Sequence, residues 1–204
     1  MELKSELPGD FNKYNILAAA SVAENYRVAP EVIRQAVAKI NTIPGRMEFI
    51  WSEREFLVVV DYAHTPDSLI LVYDYLKRQL KRGGKLIAIL GAAGGGRDKW
   101  KRPEFGRIAA HYCDEIILTN EDPYDEDPNQ ILAEVRSGIT AANFSTENLF
   151  EIMDRKEAML HALTTAKKGD IVVITGKGAE TSMALANGQK IPWSDKEMVL
   201  SLLE

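Results

Sequence analysis

Four runs of strand length are apolar almost throughout: Phe56 to Val60, Lys85 to Leu90, Glu115 to Thr119 and Asp170 to Thr175. A strand with one wet face alternates apolar and polar residues. A strand that is apolar on both faces must be covered on both, as in a parallel sheet layered between helices. Helical segments separate these runs. Thr65 as cap and Pro66 as first residue open one that runs to about Arg82 and stops at Gly83-Gly84. Others cover Pro103 to Tyr112, Asp127-Pro128 to about Val135, Asp154 to Lys167, and Ser194 onward. Asp154 with Glu157, and Ser194 with Glu197, have the spacing of a capping box. Phe49 to Trp51 and Leu149 to Met153 add shorter strands. The pattern predicts an α/β fold over 45–204: a doubly wound, mostly parallel sheet with helices on both faces.

Residues 1–44 read differently. Asn15 to Tyr26 and Pro30 to Ile40 are helical, and Pro44 and Gly45 then break the pattern. Two helices with small apolar faces bury little alone. They are expected to be disordered, to pack on the α/β domain, or to self-associate through exposed apolar surface.

Bulk properties exclude some functions. Lys and Arg number 25 against 30 Asp and Glu, a net charge of −5, so there is no basic face for nucleic acid. Cys113 is the only cysteine, which rules out an intramolecular disulfide and fits a reducing compartment. No apolar run approaches the roughly 18–20 residues that span a bilayer, and the N-terminal MELKSELPGD lacks a signal-peptide apolar stretch. The expectation is a cytoplasmic protein without membrane or nucleic-acid partners.

In doubly wound sheets ligands sit beyond the carboxyl ends of the strands. Four such ends carry polar or glycine-rich loops: Asp61 to Asp67, Gly91 to Lys99, Thr119 to Tyr124 and Gly176 to Glu180. All four are expected on one rim. GAAGGGRD at 91–98 does not match the dinucleotide fingerprint, so an NAD site is rejected. Its glycines allow close backbone approach, and Arg97, Lys99, Lys101 and Arg102 follow them, which favours an anion. The acidic run from Glu121 to Asp127 lacks EF-hand spacing, and His111 with Cys113 is too little for zinc, so no metal site is expected.

PGRME at 44–48, DYAHTPDSL at 61–69, GGGRDKWKRP at 94–103, TNEDPYDEDP at 119–128, DRKEAM at 154–159 and GKGAE at 176–180 form an ordered series that resembles the MurE-type Mur ligases. FNKYNILAA at 11–19 resembles the end of that family's central ATPase domain. The resemblance implies that 1–44 is the helical end of the central domain and 45–204 the C-terminal Rossmann-like domain. It implies an ATP-dependent amide ligase that adds the third residue to UDP-N-acetylmuramoyl-L-alanyl-D-glutamate, with an acyl phosphate attacked by the incoming amine. Full-length members use ATP and Mg2+, and their partners are the UDP-linked dipeptide and a diamino or other amino acid.

Position by position, the resemblance puts Asn15 at the adenine, Arg46 at ATP from the domain junction, Asp61 near the ribose, and His64 in the same nucleotide-facing turn. Arg97 matches the arginine that holds the incoming amino acid, and Gly176 and Glu180 match residues that grip its far head group. Asp122 and Tyr124 replace the amide and arginine of the family's Asp-Asn-Pro-Arg motif, and Ala179 replaces the histidine of Gly-Lys-Gly-His-Glu. An acid in place of an amide, beside Tyr124, is expected to favour a cationic side chain such as lysine over a second carboxylate.

No G-x-x-x-x-G-K-[ST] loop occurs. The family's magnesium ligands and modified lysine are expected upstream, within a longer ligase. Hence no catalytic residue, no bound ATP or Mg2+, and no ligation are expected of these 204 residues alone. The alternatives are a domain of a folylpolyglutamate or cyanophycin synthetase-like ligase, or a stand-alone non-catalytic binding module.

Overall fold

The computed structural model describes residues 1–96 and 98–204. A six-stranded sheet forms its centre. The strands are β1 (Glu48–Trp51), β2 (Leu57–Val60), β3 (Leu86–Leu90), β4 (Glu115–Leu118), β5 (Leu149–Glu151) and β6 (Ile171–Ile174), in the spatial order β1-β2-β6-β3-β4-β5. β2, β6, β3, β4 and β5 run parallel, and β1 pairs antiparallel with β2 at the edge. The four runs predicted to be doubly buried are the four central strands, and every residue of β2, β3, β4 and β6 is buried.

Two apolar layers flank the sheet. On one face α3 (Pro66–Gln79), α4 (Lys101–Tyr112) and α5 (Pro128–Ala141) cover Leu57, Val59, Leu86, Ala88, Ile116 and Val173. On the other, α6 (Arg155–Thr165) and α7 (Asp195–Leu203) cover Val58, Val60, Ile87, Ile89, Ile117 and Val172. Alternate residues of each strand thus point into opposite layers, as the period of a strand requires.

The predicted caps are present. The Thr65 hydroxyl accepts from the Ser68 amide, and the Asp154 carboxylate from that of Glu157. The Asp127 and Ser194 side chains accept from the amides of Asn129 and Glu197. α5 continues to Ala141, beyond the expected end at Val135. A hairpin of β7 (Ser182–Ala184) and β8 (Lys190–Pro192) fills a stretch for which the sequence pattern gave no element. No helix among the described residues is long and apolar enough to cross a membrane.

Ahead of the sheet lie α1 (Phe11–Asn25) and α2 (Pro30–Lys39). Both are ordered helices, and Phe11 packs against the first apolar layer. Within α1 and α2 only Asn12, Ala20 and Ile33 are buried, while Tyr14, Leu17, Val22 and Val32 stay exposed.

Candidate functional site

Because β2, β6, β3 and β4 are parallel neighbours, the loops after them leave the sheet at the same edge. Two clefts lie there: the loop after β2 borders one together with α1, α3, Ile43 and Arg46, and all four loops border the other. One, of about 530 Å³, is bordered by Asn15, Arg46, Asp61 and His64, all four residues expected to face a nucleotide. The other, of about 350 Å³, is bordered by Asp122, Tyr124, Gly176 and Glu180, the described residues expected to face an amino acid. Tyr62 and His64 border both. The expectation for Arg97 lies outside the described residues.

In the first cleft Asp61 builds the turn that presents its neighbours. One oxygen accepts from the Met47 amide and the other from the Ala63 amide, each at 2.7 Å. Burial raises the Asp61 carboxyl above its ordinary value, against these two bonds. Arg46 lies 4.3 Å from the centre of the Tyr62 ring and forms no ion pair among the described residues, so its guanidinium is available to an anion. His64 Nδ1 is 2.8 Å from the Tyr62 carbonyl oxygen, and its ring packs edge-on against Tyr62. Asn15, on α1, donates to Asn12 Oδ1, and its own amide oxygen accepts no hydrogen bond among the described residues.

The second cleft has an acidic end built around one lysine. The Lys177 side chain is wholly buried; its ammonium donates to both oxygens of Asp122, at 2.9 and 2.8 Å, and to Glu180 at 2.6 Å. Burial works against the ammonium, but Asp122 and Glu180 outweigh it and leave its pKa above the ordinary value. Asp122 also accepts from the Ala184 amide at 2.7 Å, which ties β7 to the rim. Asp122 and Glu180 therefore share a single cation.

Glu121 is the carboxylate that sequence reasoning missed. It is 6% exposed, borders this cleft, and its side chain accepts no hydrogen bond among the described residues. Burial pushes its carboxyl up to about 7, against the pull of Arg155 and Lys177 and with the push of Asp122 and Asp195. Gly176 explains how it fits: at φ 105° it sits where a side chain is strained, and a Cβ there would overlap Glu121 Oε2. The residue was visible within an acidic run, but nothing in that run marks which member is buried.

The basic run after the glycine loop serves the protein itself. Arg102, 1% exposed, donates to Glu126, to Glu134 and to the Ala93 carbonyl oxygen. Lys99 pairs with Glu126 at 2.8 Å and Lys101 with Asp98 at 2.6 Å. Arg102, Lys99 and the Gly96 amide hold the Glu126 carboxyl well below its ordinary value, at about 2. Lys99, Lys101 and Arg102 thus pair with acids of the chain and brace the loop, while Arg97, the fourth member of the expected anion site, lies outside the described residues. Among the described residues no group of three His, Cys, Asp or Glu side chains is arranged to hold a metal ion.

The molecule is a doubly wound α/β domain with two adjoining clefts at the strand-end rim, where such folds place their ligands. Residues 45–178 match the family model described as "Mur ligase, glutamate ligase domain", and the chain belongs to that family. It is similar to a UDP-N-acetylmuramoyl-L-alanyl-D-glutamate–2,6-diaminopimelate ligase of Caldanaerobacter subterraneus subsp. tengcongensis, 38% identical over 99% of this chain and 40% of the relative. A solved structure of a UDP-N-acetylmuramoyl-L-alanyl-D-glutamate–2,6-diaminopimelate ligase is 40% identical, with a TM-score of 0.73 over 98% of this chain and 40% of that one. A folylpolyglutamate synthase of Thermotoga maritima, 20% identical with a TM-score of 0.60, covers 86% of this chain and 38% of its own, and shares the fold alone. The chain spans about 40% of the length of the curated relatives it matches.

Proposed function

We propose that this chain is the part of an ATP-dependent amide ligase that receives the incoming amino acid and faces the nucleotide, for addition of a third residue to UDP-N-acetylmuramoyl-L-alanyl-D-glutamate. The observation that carries this is the pair of adjoining clefts on one rim, which share Tyr62 and His64 as lining. Amide synthesis from a carboxylate and an amine needs the two partners held together and the developing charge neutralised, more than it needs a nucleophilic side chain.

The residues fit an anionic nucleotide: the Arg46 guanidinium is free and Asn15 lies in the same cleft. When bound, ATP supplies the activation of the acceptor carboxylate. Arg46 would hold the nucleotide's phosphate end, and Asp61 keeps the 61–64 turn in register through its two amide bonds. Mg2+ finds no matching set of ligands among the described residues and is assigned no step. In the second cleft Glu121 and Glu180 draw the far ammonium of a diamino acid, with Gly176 leaving room.

The relatives' names point to diaminopimelate. A second reading, lysine, is favoured by the acidic end: Tyr124 offers no positive charge to a second carboxylate, and Lys101 and Arg102 are paired with acids of the chain. Amide-resonance shifts on adding ATP, lysine or diaminopimelate separately to the full-length ligase test the placement. ATP is expected to move 61–65, and the amino acids 121–124 and 176–180; shifts confined to other surfaces would sink it. Selectivity between the two diamino acids, measured with the full-length ligase, decides the substrate.

A further inference from the structure

Among the described residues, the ion pair with both side chains fully buried joins Arg155 and Asp195, behind the acidic end. Arg155, the first residue of α6, and Asp195, the first of α7, have side chains with no exposed surface. The guanidinium donates through Nε and one terminal nitrogen to the two Asp195 oxygens, at 2.9 and 2.8 Å. Its remaining reach goes to two main-chain oxygens: Thr175 O at 3.0 Å and Asn120 O at 3.4 Å. Those carbonyls immediately precede Gly176 and Glu121, the points where the loops after β6 and β4 turn toward the cleft. Asp195 in turn accepts from the Trp193 indole at 2.7 Å, so the end of the hairpin is held by the same group.

We propose that Arg155 is a positioning residue for the acidic end of the second cleft: its guanidinium fixes the separation of the loops after β4 and β6 and locks that spacing to the C-terminal helix through Asp195. A planar fork with several donors can grip a carboxylate and two carbonyls at once; an ammonium on a flexible stem cannot. Asp195 takes two of the five guanidinium N–H groups, and the others, cut off from water, find the two rim carbonyls as acceptors. Its charge also bears on the cleft. The groups that face Glu121 are Arg155 from α6, Lys177 from the loop after β6, Asp122 from its own loop and Asp195 from α7, and Arg155 is the strongest of the two cations that offset its burial. The consequence for an amino-acid ligand rests on the function proposed above; the positioning itself does not.

The test uses the whole chain without ligand. Arg155→Lys keeps the charge and loses the fork. Arg155→Met combined with Asp195→Asn removes both charges, so that neither is left buried alone. Hydrogen exchange is followed in 119–122, 175–178 and α3, and the Glu121 titration is read by carboxyl carbon resonance, assigned by its loss in Glu121→Gln. With Arg155→Lys, exchange in the two rim segments is expected to rise about tenfold relative to α3 while the Glu121 midpoint is kept. In the double variant the midpoint is expected to move upward. Exchange that rises equally in α3, or does not rise, overturns the proposal, as does an unmoved midpoint in a folded double variant. If the double variant does not fold, Arg155→Lys alone decides. Neither readout involves an amino acid, so absent ligand shifts would count against the proposed function and leave this inference standing.

Discussion

Glu121 carries an unusual proton. In the folded chain its carboxyl titrates at about 7, against an ordinary 4.5. Between those values the folded state holds a proton that the unfolded state has released, so stability falls as pH rises through this window. The expected loss is on the order of 3 kcal/mol, from the size of the shift. Glu121→Gln should flatten that fall, so urea midpoints measured at about pH 5 and about pH 8 should differ in the wild type and agree in the variant; an unchanged slope would exclude a buried, titrating Glu121. Lys177 makes the opposite case. Lys177→Met leaves Asp122 and Glu180 without their shared cation and should cost about 3 kcal/mol in chemical denaturation. The low end of the range applies because Glu180 is 41% exposed and regains water. Neither residue announces its burial in the sequence: Glu121 sits among seven residues of which five are acidic, and Lys177 looks like one turn residue between two glycines.

The elements were mostly legible. β2, β3, β4 and β6 each declare themselves as apolar runs, and Thr65-Pro66, Asp127-Pro128, Asp154 and Ser194 each mark a helix start that the structure places within a residue of its cap. Two features were not read, for different reasons. α5 passes through Gly138, a residue that commonly ends helices, because α4 crosses there: a Cβ at Gly138 would overlap the Pro103 carbonyl oxygen, and one at Gly106 the Val135 carbonyl oxygen. Gly138→Val should therefore cost about 3 kcal/mol or more, measured as a lowered urea midpoint, whereas helix propensity alone would make it nearly neutral or stabilising. The β7–β8 hairpin has strands of only three residues, too short for any period to show. Its signal was the Asn187-Gly188 pair, both at positive φ, as two-residue hairpin turns favour.

At the scale of the whole molecule, four loops far apart in sequence meet because parallel pairing leaves every strand of the central set pointing one way. That convergence could be anticipated from pattern alone. The split into two clefts could not, since it depends on how Arg46, Tyr62 and His64 stack. The purified 204 residues are expected to form no amide from ATP, the UDP-linked dipeptide and a diamino acid, as read by phosphate release, because the sequence holds no phosphate loop. Measurable turnover would reject that expectation.

Tyr62 and His64 form a party wall. A tenant on either side leans on the same tyrosine and the same imidazole, so neither chamber can be rebuilt by mutation without the neighbour noticing. A change at Tyr62 or His64 that suits one ligand thereby alters the wall of the other's chamber.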